Sequence, residues 1–368
     1  MFIKPEGPQL TSAQALELDD SYFGSRPFGY FSSRIASLIS SANSLDTDLS
    51  GGTGAQFAAA LGLTGVMGTL EFNESDRELQ IATDSFALRH HSAEALVRLY
   101  HGLAVAVATP NSAPCTWAAI AEGPKSTVEL VNEAKAHLSS PVGLETFWQK
   151  VLPPNIETQV ERSEDVLTAL NVMGDWLKHA MNLLIGGEID INAGHNKVKH
   201  GLAIRSRDDV RVTITKQAPN ADGTIPLSAL TGASAIDIFD TPTLDFLARP
   251  PKVNGRKQGL EVSSLKLTPA ILLAEAWMMS VTHAAMFHIA AALHFEGREG
   301  SLSAYPALPL APTPKQLLGE SIVGIRHPVT TPPDGGEPDR GAGIAFRTSF
   351  IPMKIDFASA TTATVVDG

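Results

Sequence analysis

The stretch His195-Asn-Lys-Val-Lys-His-Gly201 gathers the side chains best suited to chemistry. Two imidazoles stand five positions apart, with an asparagine and two lysines between them. On a helix Asn196 and His200 are four apart and share a face, and Lys197, three before His200, lies beside it. An imidazole that titrates near neutral pH can move a proton at a phosphodiester. This pattern makes His200 the general acid or base, with His195 and Asn196 beside it at the reacting group. Lys197, Lys199 and Arg205 would hold the phosphates. The plainer alternative is that lysines and histidines near a glycine only complement the negative end of a helix dipole.

Local charge favours the phosphate reading. Lys197, Lys199, Arg205, Arg207, Arg211 and Lys216 are offset within their stretch only by Asp208 and Asp209, a net of +4 in a chain of formal charge −11. Such a patch suits a phosphate backbone, and salt should weaken the contact. A solvated charged face is the competing explanation.

Other constellations are weaker. In Arg89, His90, His91 and Glu94, the pairs His91–Glu94 and His90–Glu94 have helical i,i+3 and i,i+4 spacing. Metals accept such spacings, yet there is no H-E-x-x-H and only one Cys. Helix-surface hydrogen bonds or an inter-helix ion pair are the better reading, and no metal is assigned. His283, His288 and His294 are spaced by five and six and do not build one face, so core or boundary positions are expected. Glu275, on the same segment, would need a partner if buried. Gly51-Gly-Thr-Gly54 lacks the Lys-Ser/Thr ending of a phosphate loop, and Gly123-Pro-Lys-Ser126 lacks its earlier glycine. Cys115, in Ala-Pro-Cys-Thr-Trp, has no histidine near it in sequence and reads as a small buried hydrophobe. No cofactor is assigned.

These residues need elements to hold them. Leu88, Leu96, Leu99 and Leu103 fall at helical spacing in a segment from Thr83 or Asp84 to about Ala108. Ser126-x-x-Glu129 is a capping box that opens a helix to about Leu138. A third helix is expected over Ser163 to Leu184, and the motif sits on a short fourth, about Ile189 to Leu202. The period then becomes that of strands in Val210–Thr215, Ala235–Phe239 and Leu260–Ser263, a small β insertion over 208–266. A long apolar helix from Thr268 or Pro269 to about Phe295 belongs at the centre of a bundle. Before the first helix, Ser50–Gly54 reads as a turn, 55–63 as a short helix and 69–72 as a short strand. Pro306 to Pro338 holds eight of the 24 prolines, which favours extended or irregular structure over a packed helix, and Ile344 to Ile355 alternates.

Bulk properties narrow the classes. A charge of −11 argues against a general coat for nucleic acid or membrane. A lone Cys excludes an internal disulfide framework. The N-terminus lacks the apolar run of a signal peptide, and no window reaches about 18 uninterrupted apolar residues. The expectation is a cytoplasmic protein with no membrane partner.

The motif resembles the signature of HEPN domains, a helical-bundle family that includes many defence and toxin ribonucleases. Asn196 matches the polar position of that signature and His200 its final histidine; the leading arginine is replaced by His195. The segment from Arg89 to Tyr100 is similar to the opening helix of uncharacterised bacterial members, and the likeness spans about 80–300. It implies metal-independent RNA cleavage across a dimer of bundles, in phage defence or stress response; Lys197 or Lys199 could replace the missing cation, or packing of the bundle could bring Arg89 or Arg98 to the motif.

The sequence therefore predicts a mainly α fold: a bundle of four to five helices with a small β insertion and irregular ends. The segments are 1–75 (irregular), 76–300 (HEPN-like bundle with the insertion) and 301–368 (Pro-rich, irregular). Function is read as a HEPN-like RNA-binding protein or endoribonuclease, with RNA as partner and a homo-oligomeric state. The alternative is a non-catalytic helical protein acting by self-assembly or protein–protein interaction.

Overall fold

The computed structural model describes residues 4–43, 56, 60, 74–107, 110–154 and 163–353, apart from 202, 210, 219, 222–225, 231–232, 240–241 and 301. The turn, helix and strand expected between 50 and 72 fall outside the described residues, except positions 56 and 60. Two compact units emerge, Met1–Gly186 with Thr268–Gly319, and Gly187–Leu267 with Glu320–Gly368. In chain order, helices α1 (Ser12–Phe23), α2 (Pro27–Asn43), α3 (Glu74–Ala104), α4 (Thr116–Glu122), α5 (Thr127–Leu138), α6 (Pro141–Val151) and α7 (Glu164–Leu184) come first. Helix α8 (Ile191–Lys199) and strands β1 (Ile204–Arg207), β2 (Val212–Thr215), β3 (Ala235–Phe239), β4 (Thr243–Ala248) and β5 (Glu261–Lys266) begin the second unit. Helices α9 (Pro269–His294) and α10 (Pro314–Leu318) return to the first; β6 (Ile322–Pro328), β7 (Gly343–Phe346) and β8 (Phe350–Pro352) complete the second.

The helical unit is built around α9. This helix is rich in Ala, Leu and Met on every side, so it buries itself best with neighbours all round; α2, α3, α6 and α7 surround it. It is long and apolar enough to cross a membrane, but 78% of its most apolar window is buried among these helices. Leu88 of α3 packs with Leu273 and Ala276 of α9 and with Phe31 and Ile35 of α2. The three apolar stripes expected from periodicity, on α3, α7 and α9, pack on one another. Side-chain caps fix the ends: Thr11 closes a capping box with Gln14, and Ser126, Ser140 and Ser163 accept the N–H groups of Glu129, Gly143 and Val166. Helix α3 begins at Glu74, about ten residues before the Thr83–Asp84 start expected from its leucines.

The second unit is an antiparallel sheet in the order β1-β4-β5-β6-β7-β8, with β2 and β3 paired separately. Strand β5 alternates, burying Glu261, Ser263 and Leu265. Register places Phe246 opposite Ser263, and Gly324 opposite Leu265, on that same face. The segment leading into α8 lies against it: a Cβ on Gly324 would come 2.2 Å from the Ser264 carbonyl oxygen and 3.0 Å from Ile189 Cδ1. Gly194 of α8 is equally constrained, with Phe246 Cε1 at 2.9 Å from where its Cβ would stand. Ile238 and Phe239 of β3 pack with Ile344 of β7.

The mainly α reading is therefore corrected to a mixed α/β fold. The β region is no small insertion, because β6–β8 join β1, β4 and β5 in one sheet. Nor are the described parts of the two ends irregular throughout. The Ser/Gly-rich N-terminal composition hid two helices whose starts are marked by Thr11 and by Pro27. At the C-terminal end the prolines flank β6 rather than interrupt it: Pro314 opens α10, and Pro328 is the last residue of β6, where a missing N–H is tolerated.

Candidate functional site

Helix α8 starts where Asp190 Oδ1 accepts the Ala193 N–H at 2.9 Å. It stops at Lys199: His200 is the C-cap, its N–H donating to Asn196 O at 2.9 Å, and Gly201 turns the chain at φ +115°. Five residues on a helix is about 140° of rotation, and the two imidazoles part accordingly. His195 is 7% exposed, one of two buried residues of α8 with Gly194, whereas His200 is exposed. Asn196 and Lys199 are exposed and Lys197 half-buried. Asn196, Lys199 and His200 thus share a solvent-facing end, without His195.

Three of the six basic residues of the patch are paired with carboxylates, two of which are distant in sequence. Arg205 Nη2 donates to Asp245 Oδ2 at 2.7 Å, across the β1–β4 register. Arg207 grips Asp209 at 2.7 and 2.9 Å. Arg211 Nη2 donates to Asp237 Oδ2 at 2.7 Å, and Thr213 Oγ1 to Asp237 Oδ1 at 2.5 Å. Arg207 holds the Asp209 carboxyl below its usual range, and Arg211 with Thr213 does the same to Asp237. The sequence count missed Asp237 and Asp245 because strand pairing, not chain proximity, delivers them. Lys197 and Lys199 make no ion pair among the described residues.

Arg89 and Arg98, expected to supply a cation to the motif, have carboxylate partners within the helical unit. Arg98 Nε donates to Glu94 Oε1 at 2.8 Å, one turn away. Arg89 Nη1 donates to Glu275 Oε1 at 3.4 Å, while His179 Nε2 donates to Glu275 Oε2 at 2.7 Å. Glu275 is 2% exposed, so the carboxylate that needed a partner if buried has one on each oxygen. The other histidines singled out in the sequence lie in the helical unit. His283 is stacked on Phe287 with ring centroids 6.1 Å apart, and burial pushes its pKa down to about 4. His288 Nδ1 bonds Ser303 O at 2.6 Å, and His294 Nε2 bonds Asp20 Oδ1 at 2.7 Å. His91 lies edge-on to Tyr30 and Phe31.

Sequence reasoning missed a cleft of about 690 Å³ in the helical unit, lined by parts of α1, α3, α4 and α5. On one wall Asp19 Oδ2 accepts the Thr116 N–H at 2.9 Å, and Oδ1 accepts the Trp117 N–H at 2.9 Å and the Cys115 thiol at 3.3 Å. Burial raises the Cys115 pKa to about 11, leaving a protonated thiol that is a poor nucleophile at neutral pH. On another wall His101 Nε2 meets Glu133 Oε2 at 2.7 Å. Asp19, His101, Cys115 and Glu133 are spread over more than a hundred positions of the chain, and no local motif announces them. No protein-family model, curated protein or solved structure matches the chain.

Proposed function

We propose that the protein acts by association with a second copy of itself, and that α8 is an architectural helix rather than a ribonuclease centre. The observation that carries the non-catalytic half is the separation of the two imidazoles, one buried and one exposed. The helix dipole supports it. Asn196, Lys199 and His200 sit at the C-terminal end of α8, where the partial negative charge favours cations on the protein and disfavours a phosphate.

Association draws support from α2. Phe28 packs on Trp277 of α9 with ring centroids 5.2 Å apart, and Arg34 lies over Tyr30 at 5.7 Å. Tyr30, Ile39 and Trp277 are exposed among the described residues. Aromatic rings bordered by arginine are the composition of interface centres, and a symmetric dimer would bury this edge against itself. Sedimentation velocity is the test. The wild type should sediment as a dimer and the Tyr30→Ser/Trp277→Ser variant as a folded monomer; a monomeric wild type overturns the reading.

A second reading rests on Lys197 and Lys199, without an ion pair among the described residues, beside Asn196 and His200: a HEPN-like protein that binds RNA weakly. Its affinity should fall with salt and with Lys197→Ala plus Lys199→Ala. Filter binding at low salt that is indifferent to both changes removes it.

A further inference from the structure

We propose that Asn254 is a site of covalent self-modification by intramolecular deamidation, and that its isoaspartate product releases the loop 334–339 of the second unit. Asn254 is the one asparagine of the chain followed by glycine. A glycine has no Cβ to shield its nitrogen from the preceding side chain. Both residues are exposed, at φ +49° and +82°, and nothing stands within 4 Å of where a Cβ on Gly255 would be. Among the described residues the Gly255 N–H makes no hydrogen bond. The turn is closed by a single bridge, with Val253 N donating to Arg256 O at 3.0 Å and Arg256 N to Val253 O at 2.9 Å. Two such bonds at the surface open locally at little cost. The opened turn lets the Gly255 nitrogen reach Asn254 Cγ.

The chemistry needs only water and hydroxide. The Gly255 nitrogen gives its proton to hydroxide and bonds to Asn254 Cγ. The Cγ–Nδ2 bond breaks, and the amide nitrogen takes a proton from water and leaves as ammonia. The five-membered imide so formed adds one water and opens at either carbonyl, giving aspartate or isoaspartate. Lys252, Arg256 and Lys257 flank the pair in the chain, and positive charge favours both the amide anion and the carboxylate product.

Arg256 connects this turn to the rest of the unit. Its Nε donates to Asp334 Oδ2 at 3.0 Å, and its Nη1 to Glu337 O at 3.0 Å and Asp339 Oδ1 at 3.2 Å; Nη2 donates to Gly335 O. Isoaspartate adds one main-chain carbon to a turn that has two residues between the bridge positions. The lengthened turn no longer closes the Val253–Arg256 bridge, and Arg256 is drawn off the loop. The aspartate product keeps the chain length and with it the grip.

The experiment incubates the full chain in mildly alkaline buffer and follows its peptides by mass spectrometry. Asn111 is the internal control, since it too is exposed with a positive φ, +64°, but serine follows it. The Asn254 peptide should gain the mass of an amide-to-acid conversion about tenfold faster than the Asn111 peptide, a barrier lower by about 1.4 kcal/mol. In the isoaspartate fraction, hydrogen exchange should quicken at the Gly335 and Asp339 amides, which donate to Pro332 O and Gln258 Oε1. Asn254→Asp should exchange there as the wild type does. Asn254 modified no faster than Asn111, an isoaspartate fraction with wild-type exchange in the loop, or Asn254→Asp exchanging as fast as that fraction would each overturn the proposal.

Discussion

Replacing Glu275 with glutamine should destabilise the helical unit more than any surface change. The carboxylate lies in the packed centre of α9, with Arg89 on one oxygen and His179 on the other. The Arg89 and Glu275 side chains are 9% and 3% exposed. Glutamine keeps the shape and removes the charge, so the guanidinium stays buried without its counterion. Breaking one side of a buried pair costs about 3–5 kcal/mol. At roughly 2–4 °C per kcal/mol for a unit of this size, the melting temperature should fall by about 6–20 °C. The double variant Arg89→Met/Glu275→Gln should recover most of the loss, because no guanidinium is left buried without its counterion and the glutamine amide oxygen can still accept from His179. Near-UV circular dichroism melts of wild type, both single variants and the double variant form the test. A Glu275→Gln melt within about 2 °C of wild type, or a double variant as unstable as the sum of the singles, would refute the buried-pair reasoning.

Two further outcomes follow from packing and titration. His283 has a folded pKa of about 4 against 6.5 for the free side chain, so the unfolded chain takes up its proton first as pH falls. Stability should therefore decline between about pH 6.5 and pH 4 by roughly 3 kcal/mol from this group and level off below. The decline, read from urea melts, should flatten in His283→Phe. Gly324→Ala should destabilise the second unit by about 1–3 kcal/mol through overpacking, because a Cβ there would meet the Ser264 carbonyl oxygen at 2.2 Å. Hydrogen exchange in β5 and β6 reads this directly, and unchanged protection would contradict it.

The long helices were legible because their apolar residues recur at helical period and their starts carry caps. Ser126 and Ser163 cap the starts of α5 and α7 as expected, and α9 begins at Pro269 after Thr268, whose side chain makes no cap bond. The sheet was legible only in pieces. Strand β3 matched its expected segment, but β6 lay inside a segment whose prolines, counted together, suggested extended or irregular chain and not a paired strand. Topology was out of reach, since pairing β5 with β6 joins residues some sixty positions apart, with α9 between them in the chain. The same limit governed the site. The charge near the motif was counted along the chain, whereas Asp237 and Asp245 arrive by strand register. The partner of Glu275 could be demanded from burial, yet neither Arg89 nor His179 could be named for it. His101 and Glu133 drew no notice, being an ordinary histidine and glutamate on separate helices.

The central claim, that α8 is architecture and not a ribonuclease centre, is tested most directly by RNA cleavage. Wild type and His200→Ala, both verified as folded, would be incubated with single-stranded RNA in the presence of a chelator and followed on denaturing gels. The expected result is no cleavage by either protein. Cleavage by wild type that falls about 10²–10⁴-fold in His200→Ala, the usual cost of losing a general acid or base, would contradict the claim.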